Sequence, residues 1–268
     1  MIRDITIGQY YPADSVIHRL DPRMKLLGTF VFIISLFLFK SFSGYIVAAV
    51  FLFSVIKISR VPFGFIFRGL KVVLLLLIFM AFFNLFFTPG TPVFQWWIIK
   101  ITKEGIRNAC FMAIRLTFLI VGSSLMTFTT TPNQLTDGLE RVLRPLSKIG
   151  VPAHEIAMMM SIALRFIPIL LEETDKIMKA QQARGADFES GGLIAKAKSL
   201  VPILVPLFIS AFRRADELAM AMEARCYHGG EGRTKMKPLH YEKRDYITLA
   251  VLVLYMIAVI AVGRGIYL

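Results

Sequence analysis

Cysteine is nearly absent, and so are the residue constellations that carry catalysis. Two cysteines in 268 residues, Cys110 and Cys226, cannot build a disulfide framework. One lies in an apolar run and the other in a charged segment, so both are expected to be free thiols. The four histidines, His18, His154, His228 and His240, are scattered, and no His/Cys cluster has metal-ligand spacing, so no metal is expected. There is no G-x-x-x-x-G-K, no G-x-S-x-G and no H-E-x-x-H. Without a phosphate loop the chain is not expected to bind ATP itself, and no catalytic residue or cofactor is assigned. With 18 glycines and 12 prolines, collagen-like material is excluded. Charged residues make up only 18% of the chain against 56% hydrophobic ones, which excludes intrinsic disorder. Polar groups could not cover that much apolar surface in an ordinary soluble domain.

What remains is an integral membrane protein, in keeping with the mean hydropathy of +0.64. Apolar runs lie at Leu26–Phe39, Ser41–Ile56, Val72–Phe87, Leu116–Thr130 and Tyr246–Gly263. Each is somewhat short of the roughly 20 residues that cross a bilayer. Lys25, Lys40, Lys57, Lys71 and Arg115 are placed to extend them by snorkelling. Five transmembrane helices are expected. Thr88-Pro89-Gly90-Thr91-Pro92 should end the third, and Trp96 and Trp97 suit an interfacial belt. Asn84 is expected to make an interhelical hydrogen bond. Asp21-Pro22 reads as an N-cap followed by a first-turn proline. No signal peptide is expected, because the segment before Leu26 carries both signs of charge.

The net charge of +13 reports topology rather than nucleic-acid binding, since Lys and Arg collect on the cytoplasmic side. The segment Lys57–Lys71, read as a loop, carries Lys57, Arg60, Arg68 and Lys71 and no acid, and is placed in the cytoplasm. The N-terminus follows it there, with Arg19, Arg23 and Lys25. Lys100, Lys103 and Arg107 run against this pattern, because they fall on the outer side, where Glu104 offsets only one of them.

Residues 131–245 read differently. They hold 14 of the 18 acids and 17 of the 31 bases, roughly the charge density of a soluble domain. Their apolar patches, Ile156–Leu164 and Ser199–Phe212, are short and bounded by charge, so they are expected as buried or interfacial helices rather than spans. A short helix over Asn133–Lys148 should precede two long amphipathic ones, Ala153–Gln182 and Leu193–Ala224, with a break at Gly191-Gly192. Pro168, Pro202 and Pro206 should kink these helices without ending them. Arg165 is expected to pair with Glu155 or Glu172. Arg233–Lys237 suits anionic headgroups of the lipid bilayer. The fold class is thus an all-α integral membrane protein. Residues 1–130 form a four-helix membrane domain, 131–245 a cytoplasmic coupling domain, and 246–268 a last transmembrane helix.

The two long helices end alike, on Ala183-Arg184-Gly185 and on Ala224-Arg225-Cys226. A cation at a helix C-terminus is favoured by the macrodipole, and Gly185 can take the left-handed conformation that closes a helix. Small neighbours leave the guanidinium protruding, where its planar fork suits carboxylates or carbonyls of a partner. One such arginine is an ordinary cap, and the repetition is what sets these two apart. Met158, Met159 and Met160 form a flexible apolar surface of the kind that serves core packing or adaptable binding.

These paired Ala-Arg-x motifs resemble those of the transmembrane T component of energy-coupling factor (ECF) transporters. His18-Arg19-Leu20-Asp21-Pro22-Arg23-Met24-Lys25 is similar to that family's entry into its first helix. Glu223–Tyr227 and Gly229–Thr234 look like the shared, general-purpose members; Cys226 stands where Gly or Ser is the simpler expectation. The resemblance implies a scaffold in the cell membrane that belongs to an ABC-type vitamin importer. Two ATPase subunits would dock on Arg184 and Arg225, and one small, exchangeable S component would bind the vitamin. Met158–Met160, Pro168, Pro202 and Pro206 would contribute to the S-component interface. A T component dedicated to one metal or biotin system is the nearest alternative. A stand-alone secondary transporter is a poorer one, because repeat halves and a charged pathway are lacking. A membrane enzyme would need a clustered set of acids or histidines.

Overall fold

The computed structural model describes residues 10–39, 41–96, 99–188, 192, 194, 198–230, 236 and 238–264. Trp97, Lys40, Gly191 and most of Arg233–Lys237 lie outside them. Helices α1 (Pro22–Leu38), α2 (Phe42–Ser59) and α3 (Phe63–Phe87) come first. A two-stranded antiparallel hairpin follows, β1 (Pro92–Trp96) and β2 (Ile99–Thr102). Then come α4 (Lys103–Thr129), α5 (Pro132–Leu143), a 3₁₀ segment (Arg144–Ile149), α6 (Ala153–Ala183), α7 (Val201–Glu223) and α8 (Lys243–Arg264). The chain separates into two compact units. One takes in the described residues up to Gly138 and from Leu239 onward; the other is Leu139–Pro238.

The first unit is a helical membrane bundle. Its core joins Phe32 and Leu36 of α1, Tyr45, Ala48 and Leu52 of α2, Val121, Leu125 and Phe128 of α4, and Tyr255 and Val259 of α8. Small residues let these helices approach. A Cβ added at Gly122 would lie 2.7 Å from the Phe32 ring. Ser35 and Tyr255 join α1 to α8 inside the core through a 2.6 Å hydrogen bond, the interhelical polar contact that a bundle in lipid favours. The opposite helix faces present large exposed apolar residues, among them Phe30, Ile34 and Phe37 of α1, Leu75 and Phe79 of α3, and Leu254 and Ile257 of α8. A soluble protein does not leave such faces to water, and a bilayer is the solvent they fit.

By length and composition α2, α4, α6 and α8 can cross a membrane. Helix α3 makes a fifth if its halves, Phe63–Lys71 and Val73–Phe87, bent by 57°, form one span. The number agrees with the five expected, but the membership differs. Helix α1 has only 17 residues, whereas α6 runs unbroken for 31. That length bears out the continuous helix expected over Ala153–Gln182, with Arg165 exposed on it. Helix α3 begins at Phe63, so the expected loop Lys57–Lys71 shrinks to the turn around Arg60, whose φ of 57° is left-handed. Helix α4 begins 13 residues before the expected span, capped by Thr102, whose hydroxyl accepts from the Gly105 amide. The hairpin was not foreseen. Its Pro-Gly-rich approach is a turn signal, but nine strand residues are too few to show a clear alternation.

Candidate functional site

Helices α6 and α7 form an antiparallel pair. Gln181 of α6 meets Pro202 of α7, Glu173 meets Ser210 and Arg214, and Met158 to Phe166 face Leu218 to Arg225 across a pocket. The prolines shape this pair. Pro202 sits in the first turn of α7, where a missing N–H costs nothing, so it starts the helix rather than kinking it. Pro206 lies inside α7 and cannot donate to the Pro202 carbonyl four residues back. The Gln181 side chain fills that vacancy, its Nε2 donating to the Pro202 oxygen at 3.2 Å. Pro168 lies inside α6, which continues through it as expected. Midway, Glu173 accepts from Ser210 Oγ at 2.6 Å and from Arg214 Nη2 at 2.8 Å.

Both helices stop in the same way. At the end of α6, Ala186 N–H donates to Gln181 O and Gly185 N–H to Gln182 O, each at 3.0 Å. At the end of α7, Tyr227 N–H donates to Met222 O at 3.0 Å and Cys226 N–H to Glu223 O at 2.8 Å. This six-to-one and five-to-two pattern is a Schellman motif. Its left-handed residue is Gly185 in one (φ 88°) and Cys226 in the other (φ 55°). Arg184 and Arg225 therefore occupy the same position, immediately before the reversal. At the second end His228 Nδ1 donates to the Cys226 carbonyl at 2.8 Å, which further fixes the turn. Both arginines are exposed, and neither has an acceptor among the described residues. The antiparallel register places them at opposite ends of the pair. Arg225 lies level with Met158, 26 residues of helix from Arg184, or about 39 Å at 1.5 Å per residue.

A pocket of about 620 Å³ opens beside Arg225, lined among others by Met158, Arg165, Met222 and His228. Arg165 was expected in an internal salt bridge with Glu155 or Glu172. Among the described residues it has no ion pair; it faces this pocket, and the carboxylate that joins the helices is Glu173. Met159 and Met160 are exposed while Met158 is half-buried. Pro168 and Pro202 are exposed and Pro206 is half-buried. Beside the last two, Val201, Leu204, Val205, Phe208, Ile209 and Phe212 form an exposed apolar stripe at helical spacing along α7.

The membrane unit holds a buried polar knot that the sequence reading missed. Lys25, taken as a snorkelling residue, is only 7% exposed. Its ammonium donates to Thr129 O at 2.7 Å and His18 O at 3.0 Å, closing the last turn of α4 onto the segment before α1. His18 Nε2 donates to Tyr11 O at 3.0 Å, and Nδ1 hydrogen-bonds the Ser15 hydroxyl at 2.7 Å. Burial pushes the His18 pKa down; the Tyr11 carbonyl opposes this and the charge of Lys25 adds to it. Asp21 caps α1 as expected, accepting from Arg23 N–H at 2.9 Å. Its own amide donates to Asp245 Oδ1 at 2.9 Å, while Asp245 Oδ2 accepts from Glu242 N–H at the start of α8. The stretch from His18 to Lys25 is thus a fastening for three helices. Asn84 bonds within its own helix, Nδ2 to Met80 O, rather than between helices.

An apolar bundle without a metal-ligand group among the described residues, joined in sequence to a charged helix pair, defines a multi-pass membrane protein whose exposed features suit assembly. Comparison with known proteins makes this specific. Residues 13–236 match the CbiQ family, described as cobalt transport protein. The chain is 60% identical over 264 residues to the energy-coupling factor transporter transmembrane protein EcfT of Clostridium kluyveri, covering 97% of this chain and 98% of that one. It is 54% identical to the protein of the same name from Ruminiclostridium cellulolyticum, covering 97% of each. To that of Bacillus subtilis it is 47% identical, covering 91% of this chain and 93% of the relative. The chain belongs to the family of transmembrane T components of ECF transporters, and is a membrane subunit of a transport complex.

Proposed function

We propose that this chain is the shared scaffold of an ECF-type vitamin importer, with Arg184 and Arg225 each anchoring one ATPase subunit on the cytoplasmic side of the cell membrane. The observation that carries the reading is the equivalence of the two arginines. Two helix ends closed by the same motif, each presenting a guanidinium with no acceptor among the described residues, lie about 39 Å apart along one helix pair. One protein domain does not readily span that separation at both ends, whereas a pair of similar ATPases offers two equivalent grooves. The chain itself lacks a phosphate loop, so the energy comes from those partners. The apolar stripe of α7, together with Met159 and Met160, suits a small apolar S component, and methionines allow different ones to exchange. Closure of the ATPases on ATP would shift the helix ends, and the packed pair would carry the movement to the S component.

The test is an Arg184→Ala/Arg225→Ala double variant in the full complex. Each lost charge-assisted contact is worth about 1.5–3 kcal/mol, or roughly 10- to 150-fold in docking. The double variant should reach the membrane folded, recover little ATPase on purification and show no ATP-dependent uptake, while single variants keep partial uptake. Full uptake by the double variant would refute the assignment.

A further inference from the structure

The α6–α7 pair is tied along one half and parted along the other. Toward Arg184, Gln181 donates to the Pro202 carbonyl, and midway Glu173 accepts from Ser210 and Arg214. Past Glu173, toward Arg225, the pocket of about 620 Å³ lies between the two helices. Its α6 wall is one continuous helix face, Met158, Ile162, Arg165 and Phe166 at i, i+4, i+7 and i+8, and its α7 wall carries Met222 and Arg225. Arg165 stands seven residues, about 10 Å, along α6 from Met158, the residue level with Arg225. Helical side chains lean toward the N-terminus of their own helix, so in an antiparallel pair Arg165 and Arg225 lean toward each other's level. Both are exposed, and neither has a hydrogen-bond acceptor or an ion pair among the described residues. No acid of α6 or α7 lines the pocket. Glu173 is eight residues, about 12 Å, further along α6, and both its oxygens are already engaged. Two like charges on facing walls repel until an anion joins them.

We propose that the ATPase subunit docked at Arg225 inserts an aspartate or glutamate side chain into this pocket, where Arg165 and Arg225 clamp its carboxylate. This role of Arg165 rests on Arg225 being an ATPase anchor, and it makes Arg165 the residue that selects an acidic partner for that end. A carboxylate matches the guanidinium fork with two parallel hydrogen bonds and keeps lone pairs for a second cation. An apolar side chain entering there would leave both cations unpaired, and a basic one would be repelled. Along the half nearer Arg184 the Gln181–Pro202 bond occupies the corresponding gap between the helices. The two docking surfaces therefore call for different side chains, although their helix ends close alike.

The experiment uses the full complex, purified through a tag on this chain, and reads the ATPase retained. In an Arg184→Ala background docking depends on the Arg225 end, and adding Arg165→Gln should lower retention about tenfold. Arg165→Lys in that background should retain more than Arg165→Gln, because the charge is kept. In an Arg225→Ala background the Arg184 end carries the docking, and Arg165→Gln should change retention by less than about twofold. No loss in the first background, or an equal loss in both, as a merely structural role would give, would overturn the proposal. Carbodiimide coupling of the Arg165→Lys variant provides a second reading: it should join position 165 to an acid of the ATPase, and coupling to another subunit or only within this chain would overturn the proposal. Inorganic phosphate shares the recognition chemistry. If it raised the unfolding midpoint of the wild type but not of Arg165→Gln while ATPase retention stayed equal, the pocket would be a free-anion site and the proposal would fall. Retention of ATPase by Arg184→Ala/Arg225→Ala would sink the anchor reading itself, whereas its loss there with no effect of Arg165→Gln would sink only the role of Arg165.

Discussion

The two helix ends that carry the arginines differ at one atom position, the Cβ of the left-handed residue, and that difference sets a measurable stability. Gly185 has φ 88°, beyond the narrow left-handed well at roughly +50 to +70° that a residue with a Cβ can occupy. No atom lies within 4 Å of where that Cβ would be. The cost of Gly185→Ala is therefore one of backbone conformation, about 1–2 kcal/mol, reduced by some tenths because Gly also loses more freedom on folding. Cys226, at φ 55°, already sits inside the well, so Cys226→Gly should gain less, about 0.5–1 kcal/mol. The six-to-one amides of Ala186 and Tyr227 are local reporters. Since a tenfold change corresponds to about 1.4 kcal/mol, Gly185→Ala should speed Ala186 exchange roughly 5- to 20-fold, and Cys226→Gly should slow Tyr227 exchange about 2- to 5-fold. The assay is hydrogen–deuterium exchange on the purified complex. Unchanged exchange at Ala186 in Gly185→Ala, or faster exchange at Tyr227 in Cys226→Gly, would refute the claim that the two ends share one strained geometry.

The buried knot yields two further expectations. Lys25→Met removes two charge-assisted hydrogen bonds and strands the His18 and Thr129 carbonyls, partly offset by sparing the desolvation of an ammonium; a loss of about 2–4 kcal/mol should appear as a lower thermal unfolding midpoint in detergent. Burial lowers the His18 pKa in the fold, so the unfolded chain binds the extra proton first: stability should be full above about pH 6.5, the unfolded value, and fall as the pH drops through the folded one. Thermal unfolding between neutral and mildly acidic pH should show this decline, and His18→Asn should flatten it.

Hydropathy and charge were enough to identify a helical membrane protein with a charged helix pair, because those signals are summed over whole segments. The Ala-Arg-x repeat pointed to both helix ends, since a small residue and a cation before a break have a local cause. Lys25 and His18 were not legible, because their partners are carbonyls and a hydroxyl that composition does not reveal. Helix α6 was legible over Ala153–Gln182 because its apolar periodicity continues past Arg165 and Pro168. The acid that ties the two helices could not be read from spacing along one helix, since the antiparallel register brings Glu173 to Arg214 and leaves Arg165 without an ion pair among the described residues.

The link at Glu173 has a mechanical consequence. It is the one side-chain-to-side-chain polar tie between α6 and α7 among the described residues; nearer Arg184, Gln181 adds a bond to the Pro202 backbone carbonyl. Glu173 stands 11 residues from Arg184 and 15 from Met158, which is level with Arg225. The pair is thus a lever with arms of about 16 and 22 Å on either side of a fulcrum. A change of about 10° in crossing angle would swing the shorter tip by roughly 3 Å and the longer by roughly 4 Å. Equal forces on the two arginines would then exert unequal torques, so two partners bound there would not be mechanically interchangeable even if they were chemically alike.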